Sequence, residues 1–212
     1  MKFISFRRYY LDKMLSDTVF LGKVLDVGGK KNNPRGSFRP PIEGVESWEY
    51  LNIDSSTGPD YFAFAEDIPV RSNYFDMVVM TEVIEHLDNP ETVLRECFRV
   101  LRDNGRLIIS APFLYPIHAD PYDFQRWTPE KIKKEFQAIG FKIDKMIPMG
   151  GIIAVTLDMV NIYLDALRLG FFVKSIKRLL ALLAPLALFL DAKVRLKETI
   201  TTGFFIAARK AH

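Results

Sequence analysis

Three observations predict a doubly wound α/β fold on a mostly parallel, seven-stranded sheet. Apolar strand-like runs alternate with helical patterns along the chain. Two of the runs, 77–80 and 107–109, are apolar at every position, as strands covered on both faces are. Two of the intervening helices carry stop and start signals at both ends. The 212 residues suffice for one domain with its own core.

The strands are expected at 23–28 (KVLDVG), 49–54 (EYLNID), 60–64 (DYFAF), 75–81 (FDMVVMT), 105–112 (GRLIISAP), 141–148 (FKIDKMIP) and 202–210 (TGFFIAARK). Between the first two, 29–44 (GKKNNPRGSFRPPIEG) holds too much Gly and Pro for a full crossover helix. The stretch DNPETVLRECFRVLRDNG has Asp88 or Asn89 as N-cap, Pro90 in the first turn and a stripe of Leu94, Cys97, Phe98 and Leu101. Gly105 is expected to stop it. TPEKIKKEFQAIG repeats the grammar, with Thr128 as cap, Pro129 and Glu130 in the first turn and Gly140 at the stop. Residues 151–200 are helical in composition and very apolar, and they interrupt the alternation before the last strand. They are expected to form a helical insertion within a single domain, 1–212.

Composition excludes several classes. The net charge of +3 is too small to argue for a nucleic-acid partner. A single cysteine, Cys97, excludes an intrachain disulfide and a cysteine-built zinc site, and it reads as a core residue in a reducing compartment. The start lacks the apolar core of a secretory signal. The longest apolar run, Leu179–Leu190, is about half of the roughly 20 residues a bilayer span needs. A cytoplasmic location is expected, with peripheral contact at the inner membrane face as an open alternative.

Ligands of open α/β sheets bind beyond the carboxyl ends of the strands, at the switch point. VLDVGG ends the first strand with Asp26, Gly28 and Gly29; glycine admits a ligand close to the backbone, and Asp26 can order the turn. Asp54 closes the second strand, where a carboxylate accepts both hydroxyls of a ribose. AEDIPV follows with partners for an adenine edge. Residues 28–33 read GGKKNN, so neither the G-x-G-x-x-G of a dinucleotide site nor the G-K-[ST] of a phosphate loop is present.

At these residues the chain resembles the class I S-adenosylmethionine-dependent methyltransferases, of the type-11 sort. The matching pieces are VLDVGG, YLNID, the run from AEDIPV through TEVIEHL to GRLIISAPF, and the closing GFFIAARK. PFLYPIHADPYDFQRWTP further resembles methyltransferases met with bacterial surface-polysaccharide enzymes. The resemblance implies a Rossmann-like methyltransferase fold with S-adenosylmethionine as cofactor. It puts Asp26, Gly28 and Gly29 at the methionine part, Asp54 and Ser55 at the ribose, Ala65, Glu66 and Asp67 at the adenine, and Thr81 and Glu82 beside them. Two positions depart from the pattern: Lys30 stands where a second glycine is usual, and Phe64 where the adenine-side acid falls.

TEVIEHL sets Glu82, Glu85 and His86 at i, i+3 and i+4, one face of a helix if the strand turns directly into one. Two carboxylates and an imidazole suit a divalent cation such as Mg²⁺, and His118 in YPIHADPYD is a candidate fourth ligand. Here the chain resembles ubiquinone-pathway O-methyltransferases and small-RNA 2′-O-methyltransferases, in which such a run and a later histidine hold a metal at the acceptor hydroxyls. The alternative is structural, with Glu82 bonded to nearby backbone and His86 capping or packing. Without a metal, His118 is the best general base, Asp120 and Asp123 are reserves, and Glu85 completes the catalytic set. Tyr122 and Trp127 either stack on a sugar or anchor the following helix.

Methyl transfer to oxygen of a small-molecule, glycan or lipid-linked sugar acceptor is the expected activity. A methyltransferase-shaped binding protein and a membrane-surface module are the alternatives. The insertion carries Lys174, Lys177 and Arg178 before its Leu/Ala run and Lys193, Arg195 and Lys197 after it. Packing on the domain's own core, a lid or homodimer face, and membrane contact all remain open for it. Lys30, Lys31, Arg35 and Arg39 make the first loop basic, either as a solvated run or as an attractor for an anionic acceptor.

Overall fold

The computed structural model describes residues 5–32, 34, 36–118, 121–167, 170–193 and 199–211. Arg35, Asp120, Arg195 and Lys197 lie outside the described residues. The chain opens with α1 (Phe6–Ser16), capped by Ser5, whose hydroxyl accepts from the Arg8 amide at 3.2 Å. Then follow β1 (Gly22–Val27), β2 (Val45–Asn52), β3 (Tyr61–Phe62), β4 (Phe75–Thr81), α2 (Pro90–Val100), β5 (Leu101–Pro112), α3 (Pro129–Ile139) and β6 (Phe141–Pro148). The chain closes with α4 (Ile152–Ala166), α5 (Gly170–Lys193) and β7 (Gly203–Lys210).

The seven strands form one sheet in the order β3-β2-β1-β4-β5-β7-β6. The pairings from β3 to β5 are parallel, and β7 runs antiparallel between β5 and β6. Order reverses between β1 and β4, which is the switch point. Asp26 stands level with Tyr50 on β2 and Val79 on β4, so three strand ends meet there. As expected, no helix joins β1 to β2 among the described residues.

Alternation along the strands builds two cores. On one face, Leu11 and Leu15 of α1 and Phe20 cover Val24, Met77, Val79, Ile108 and Phe205. On the other, Val93, Leu94 and Cys97 of α2 and Ile132 and Phe136 of α3 cover Leu25, Val78, Met80, Leu107 and Ile109. Cys97 is fully buried, which pushes its thiol up to about 12 and leaves it an inert core group. Trp127 also belongs to this core, so it anchors α3 rather than facing a sugar.

The caps of α3 are the expected ones: Thr128 accepts from Lys131 N, and Gly140 takes φ +110°. Gly105 corrects the reading of α2. The helix ends at Val100, because Leu101 is already extended and pairs with Phe75. Gly105 lies within β5, which is irregular there, with Asn104 at φ +63° and a register shift against β4 between Phe75 and Met77.

Helices α4 and α5 are fastened by two buried carboxyl groups. Asp158 of α4 accepts from the amides of Phe6 and Arg7 (2.7 and 3.1 Å) at the start of α1. Asp191 of α5 accepts from Gly151, Ile153 and Ala154 at the start of α4 (2.8, 3.1 and 3.2 Å), where Gly151 offers no capping side chain. Each thus supplies, across the fold, the acceptors that helix starts lack. Burial raises the Asp158 carboxyl to about 6.

Candidate active site

The rim of the switch point is built from the turn after β1. Gly28 has φ +76°, and a Cβ there would lie 2.4 Å from Val83 Cγ2. A Cβ on Gly29 would meet the Asp26 carboxyl at 2.4 Å. The Asn52 side chain holds this turn open, donating to the carbonyls of Gly28 (3.2 Å) and Gly29 (2.9 Å) while accepting from Asp54 N (2.9 Å). Asp26 lies beneath, with Trp48 Nε1 donating to it at 3.3 Å; burial raises its carboxyl to about 7. A cleft opens above, lined by Asp26, Gly28, Gly29, Lys30, Thr81 and Glu82, with Arg8 and Asp12 of α1 on its far wall.

The ribose and adenine candidates lie beyond the neighbouring strands: β2 ends at Asn52, so Asp54 does not close it, and β3 ends at Phe62. Asp54 is exposed and caps a short 3₁₀ turn, Ser55–Thr57, accepting from the amide (2.9 Å) and hydroxyl (2.6 Å) of Ser56. Asn32 N donates to Thr57 O at 2.9 Å, knitting this turn to the β1 loop. Ala65 is buried, Glu66 is partly exposed and Asp67 exposed, while Phe64 is 68% exposed where an acid would be usual. These residues flank the cleft without lining it. Of the basic loop, Lys30 reaches the cleft, Lys31 pairs with Asp60 at 3.0 Å and Arg39 donates to the carbonyls of Gly36 and Phe38.

Beyond β4 the expected helical face does not form. Glu82 takes φ +58° and a short 3₁₀ turn, Ile84–His86, follows. Glu82 therefore parts from Glu85 and His86. It pairs with Arg7 Nη2 at 2.6 Å and accepts from the Ser110 hydroxyl at 2.8 Å, while that hydroxyl accepts from Glu82 N at 3.0 Å. The Arg7 guanidinium also lies 3.8 Å from the centroid of the Tyr115 ring. The four-residue ligand set thereby loses Glu82.

Glu85, His86 and His118 do come together, with ligand atoms all within 4.8 Å of one another. Glu85 is 1% exposed and neither carboxylate oxygen has a hydrogen-bond partner among the described residues. His86 Nδ1 faces the Tyr122 carbonyl at 2.5 Å, and His118 Nδ1 the Pro116 carbonyl at 3.1 Å. A carbonyl only accepts, so each ring carries its proton on Nδ1. Both Nε2 lone pairs are then left toward Glu85 Oε1, at 3.8 and 3.6 Å. The Glu85 carboxylate raises the His118 pKa, against burial and the charge of Arg7.

The loop 115–126 fixes these rings. Arg126 grips Asp123 with both guanidinium nitrogens and donates to the carbonyls of Tyr115, Pro116 and Gln125. Asp123 accepts from His118 N at 2.8 Å, and Arg126 holds its carboxyl down at about 2. Asp123 thus positions His118 and is a poor base, contrary to its sequence-based role. Gln125 ties the loop to the carbonyls of Ile84 (3.1 Å) and Leu87 (2.9 Å), and Phe124 N donates to Glu85 O. Tyr122 is exposed. Arg7, Asn52, Ser110, Gln125 and Arg126 escaped the sequence reading. Of these, only Arg7 had a local signal, the Ser5 cap that starts its helix.

Residues 56–109 match the family model described as a methyltransferase domain. A ubiquinone/menaquinone biosynthesis C-methyltransferase of Vibrio cholerae is 36% identical over 67 residues, 29% of this chain and 26% of that protein. A ubiquinone biosynthesis O-methyltransferase of Pseudomonas fluorescens is 38% identical over 69 residues, 32% of this chain and 26% of that one. The matched stretch thus spans about a quarter of those relatives' length. Among solved structures, a methyltransferase from Methanosarcina mazei described as S-adenosylmethionine-dependent is 12% identical with a TM-score of 0.56, covering 93% of this chain and 97% of that one. The [4+2]-cyclase SpnF is 17% identical with a TM-score of 0.60, covering 95% of this chain and 80% of that one. The chain therefore has the class I S-adenosylmethionine-dependent methyltransferase fold. From the turn after β2 into β5 its sequence is similar to that of methyltransferase domains.

Proposed function

We propose that the protein is an S-adenosylmethionine-dependent methyltransferase that alkylates an oxygen of a small-molecule or glycan-type acceptor, with a divalent cation at Glu85, His86 and His118. The observation that carries the cation is Glu85. A buried carboxylate without hydrogen bonds is costly, and two imidazole lone pairs aimed at it have the chemistry of a ligand set. The C- and O-methyltransferase relatives support methyl transfer in general; the cation-type donor set favours oxygen.

The cofactor supplies a methyl group on a sulfonium, open to in-line attack. Around it the Gly28–Gly29 turn lets the methionine end approach the backbone. Asp26 and the Arg7-paired Glu82 line the cleft with carboxyl groups, and the carboxylate of Asp54 offers a ribose its acceptors. Holding acceptor and methyl in line is the main catalytic task of the chain, since pre-paid orientation lowers such a barrier by several kcal/mol, up to about 7–11 in the best cases. A cation held by Glu85, His86 and His118 would lower the pKa of an acceptor hydroxyl, whose proton would then leave to solvent. In the cation's absence His118 Nε2, its ring held by Asp123 and Pro116, would be the base that takes that proton.

The test has two separable arms. Calorimetry with S-adenosylmethionine reads the cofactor site, and no binding would favour a methyltransferase-shaped binding protein, the reading that Lys30 and Phe64 support. Thermal denaturation with and without Mn²⁺ reads the cation site. A rise in melting temperature that Glu85→Gln removes is expected; an equal rise in both proteins would overturn the assignment.

A further inference from the structure

We propose that the outward face of α5 seats in-plane on an anionic lipid surface. α5 is apolar on two sides. Its inner side packs along α4 and is pinned there by Asp191 and by an ion pair of Lys177 with Asp165. Its outer side exposes Leu179, Leu182, Leu183, Leu186, Phe189 and Leu190, Leu182 to 76%. Met159 and Tyr163 of α4 extend this surface. The outer face is thus not a core left unfinished: the helix already has its packing partner.

Charge selects the occupant. Lys174 and Arg178 are exposed at one end of the apolar stretch and Lys193 at the other, its ammonium 4.2 Å from the centroid of the Phe189 ring. No acidic side chain is exposed on α5 among the described residues; Asp191 is buried. A second copy laid α5 against α5 would bring these basic ends together in either direction. Parallel, Lys174 and Arg178 meet their own counterparts; antiparallel, they meet Lys193. Anionic headgroups answer both ends, and acyl chains answer the leucines between them. At about 1.5 Å per residue the apolar stretch is about 18 Å long, well short of the roughly 30 Å hydrocarbon core. No helix among the described residues is long and apolar enough to cross a membrane. The helix therefore lies in the surface rather than through it. The inference stands apart from methyl transfer, since no rim residue enters it.

Flotation of the full chain with vesicles tests it. The chain is expected to float with phosphatidylcholine vesicles containing phosphatidylglycerol, much less with phosphatidylcholine alone, and less as salt is raised. Leu182→Glu/Leu186→Glu should abolish flotation with an unchanged melting temperature, because both side chains point outward. Lys174→Ala/Arg178→Ala should lower partitioning about tenfold or more. The proposal is overturned if the chain does not float, if the leucine variant floats as well as the natural chain, or if the face proves to hold a dimer. The last would appear as a wild-type dimer that ignores vesicles and that Leu182→Glu/Leu186→Glu renders monomeric.

Discussion

The two halves of the rim are built on different principles. On the proposed cofactor side, from β1 to β4, the backbone forms the rim: two glycines, a buried carboxyl group beneath them and Asn52 bracing the turn. On the proposed acceptor side, side chains form it. Glu85 and two imidazoles meet there because a loop clamped by Arg126 and Gln125 presses them together. The family match spans 56–109 and stops before that loop. A cofactor common to many enzymes requires one backbone shape, whereas each acceptor requires its own wall. The match begins after the Gly28–Gly29 turn and Asn52 and takes in Glu85 and His86, so both that turn and the loop carrying His118 rest on their own geometry.

Variants can separate the halves. The largest effect is expected from Gly28→Val, since the new side chain is strained at φ +76° and meets Val83. Calorimetry should find S-adenosylmethionine binding lost while Mn²⁺ still raises the melting temperature. Arg126→Ala strips a nearly buried Asp123 carboxylate of its partner and should cost about 2–3 kcal/mol in urea unfolding, discounted for the partly exposed guanidinium. Methyl transfer should fall with it, cofactor affinity within about twofold of the original. Retained activity would deny the loop its positioning role. Asp54→Ala should weaken cofactor binding about tenfold, or ~1.4 kcal/mol, without touching the Mn²⁺ response.

Glu85→Gln should stabilise the metal-free protein by about 1 kcal/mol, because a buried charge without a hydrogen bond is removed, while abolishing turnover. Metal-free destabilisation would show that Glu85 has a structural partner instead. The last effect is read along the pH axis and concerns the seam between α1 and α4. Burial raises the folded pKa of Asp158 from 3.8 to about 6, so the protonated form is favoured in the folded state. Its contribution is fully present below about pH 4 and is lost as pH rises through about 6, at most about 3 kcal/mol in all. Asp26, raised to about 7, acts in the same sense. Asp158→Asn should flatten part of the fall in melting temperature between pH 4 and 7; an unchanged slope would remove Asp158 from it.

Strand positions were legible because residues such as Val78–Met80 and Leu107–Ile109 are buried on both faces and are apolar throughout. Gly28 and Gly29 were legible for the same local reason, that only glycine fits. Legibility failed where distant contacts decide. Gly105 looked like a helix stop, but pairing of Leu101 with Phe75 ends α2 earlier. Glu82 looked like part of a helical face, yet Arg7 and Ser110 hold it at a positive φ that its residue type does not announce. The caps from Asp158 and Asp191 reach across 152 and 40 positions, beyond any local pattern. Asp123 was legible as important, but only its contact with Arg126 shows that it positions rather than accepts a proton.

The central claim is that the turn after β1 forms half of an S-adenosylmethionine site. Titrating the purified chain with that compound in a calorimeter tests it most directly. Saturable binding of one molecule per chain, absent in Gly28→Val, is expected. No heat of binding, or equal binding by the variant, would contradict it.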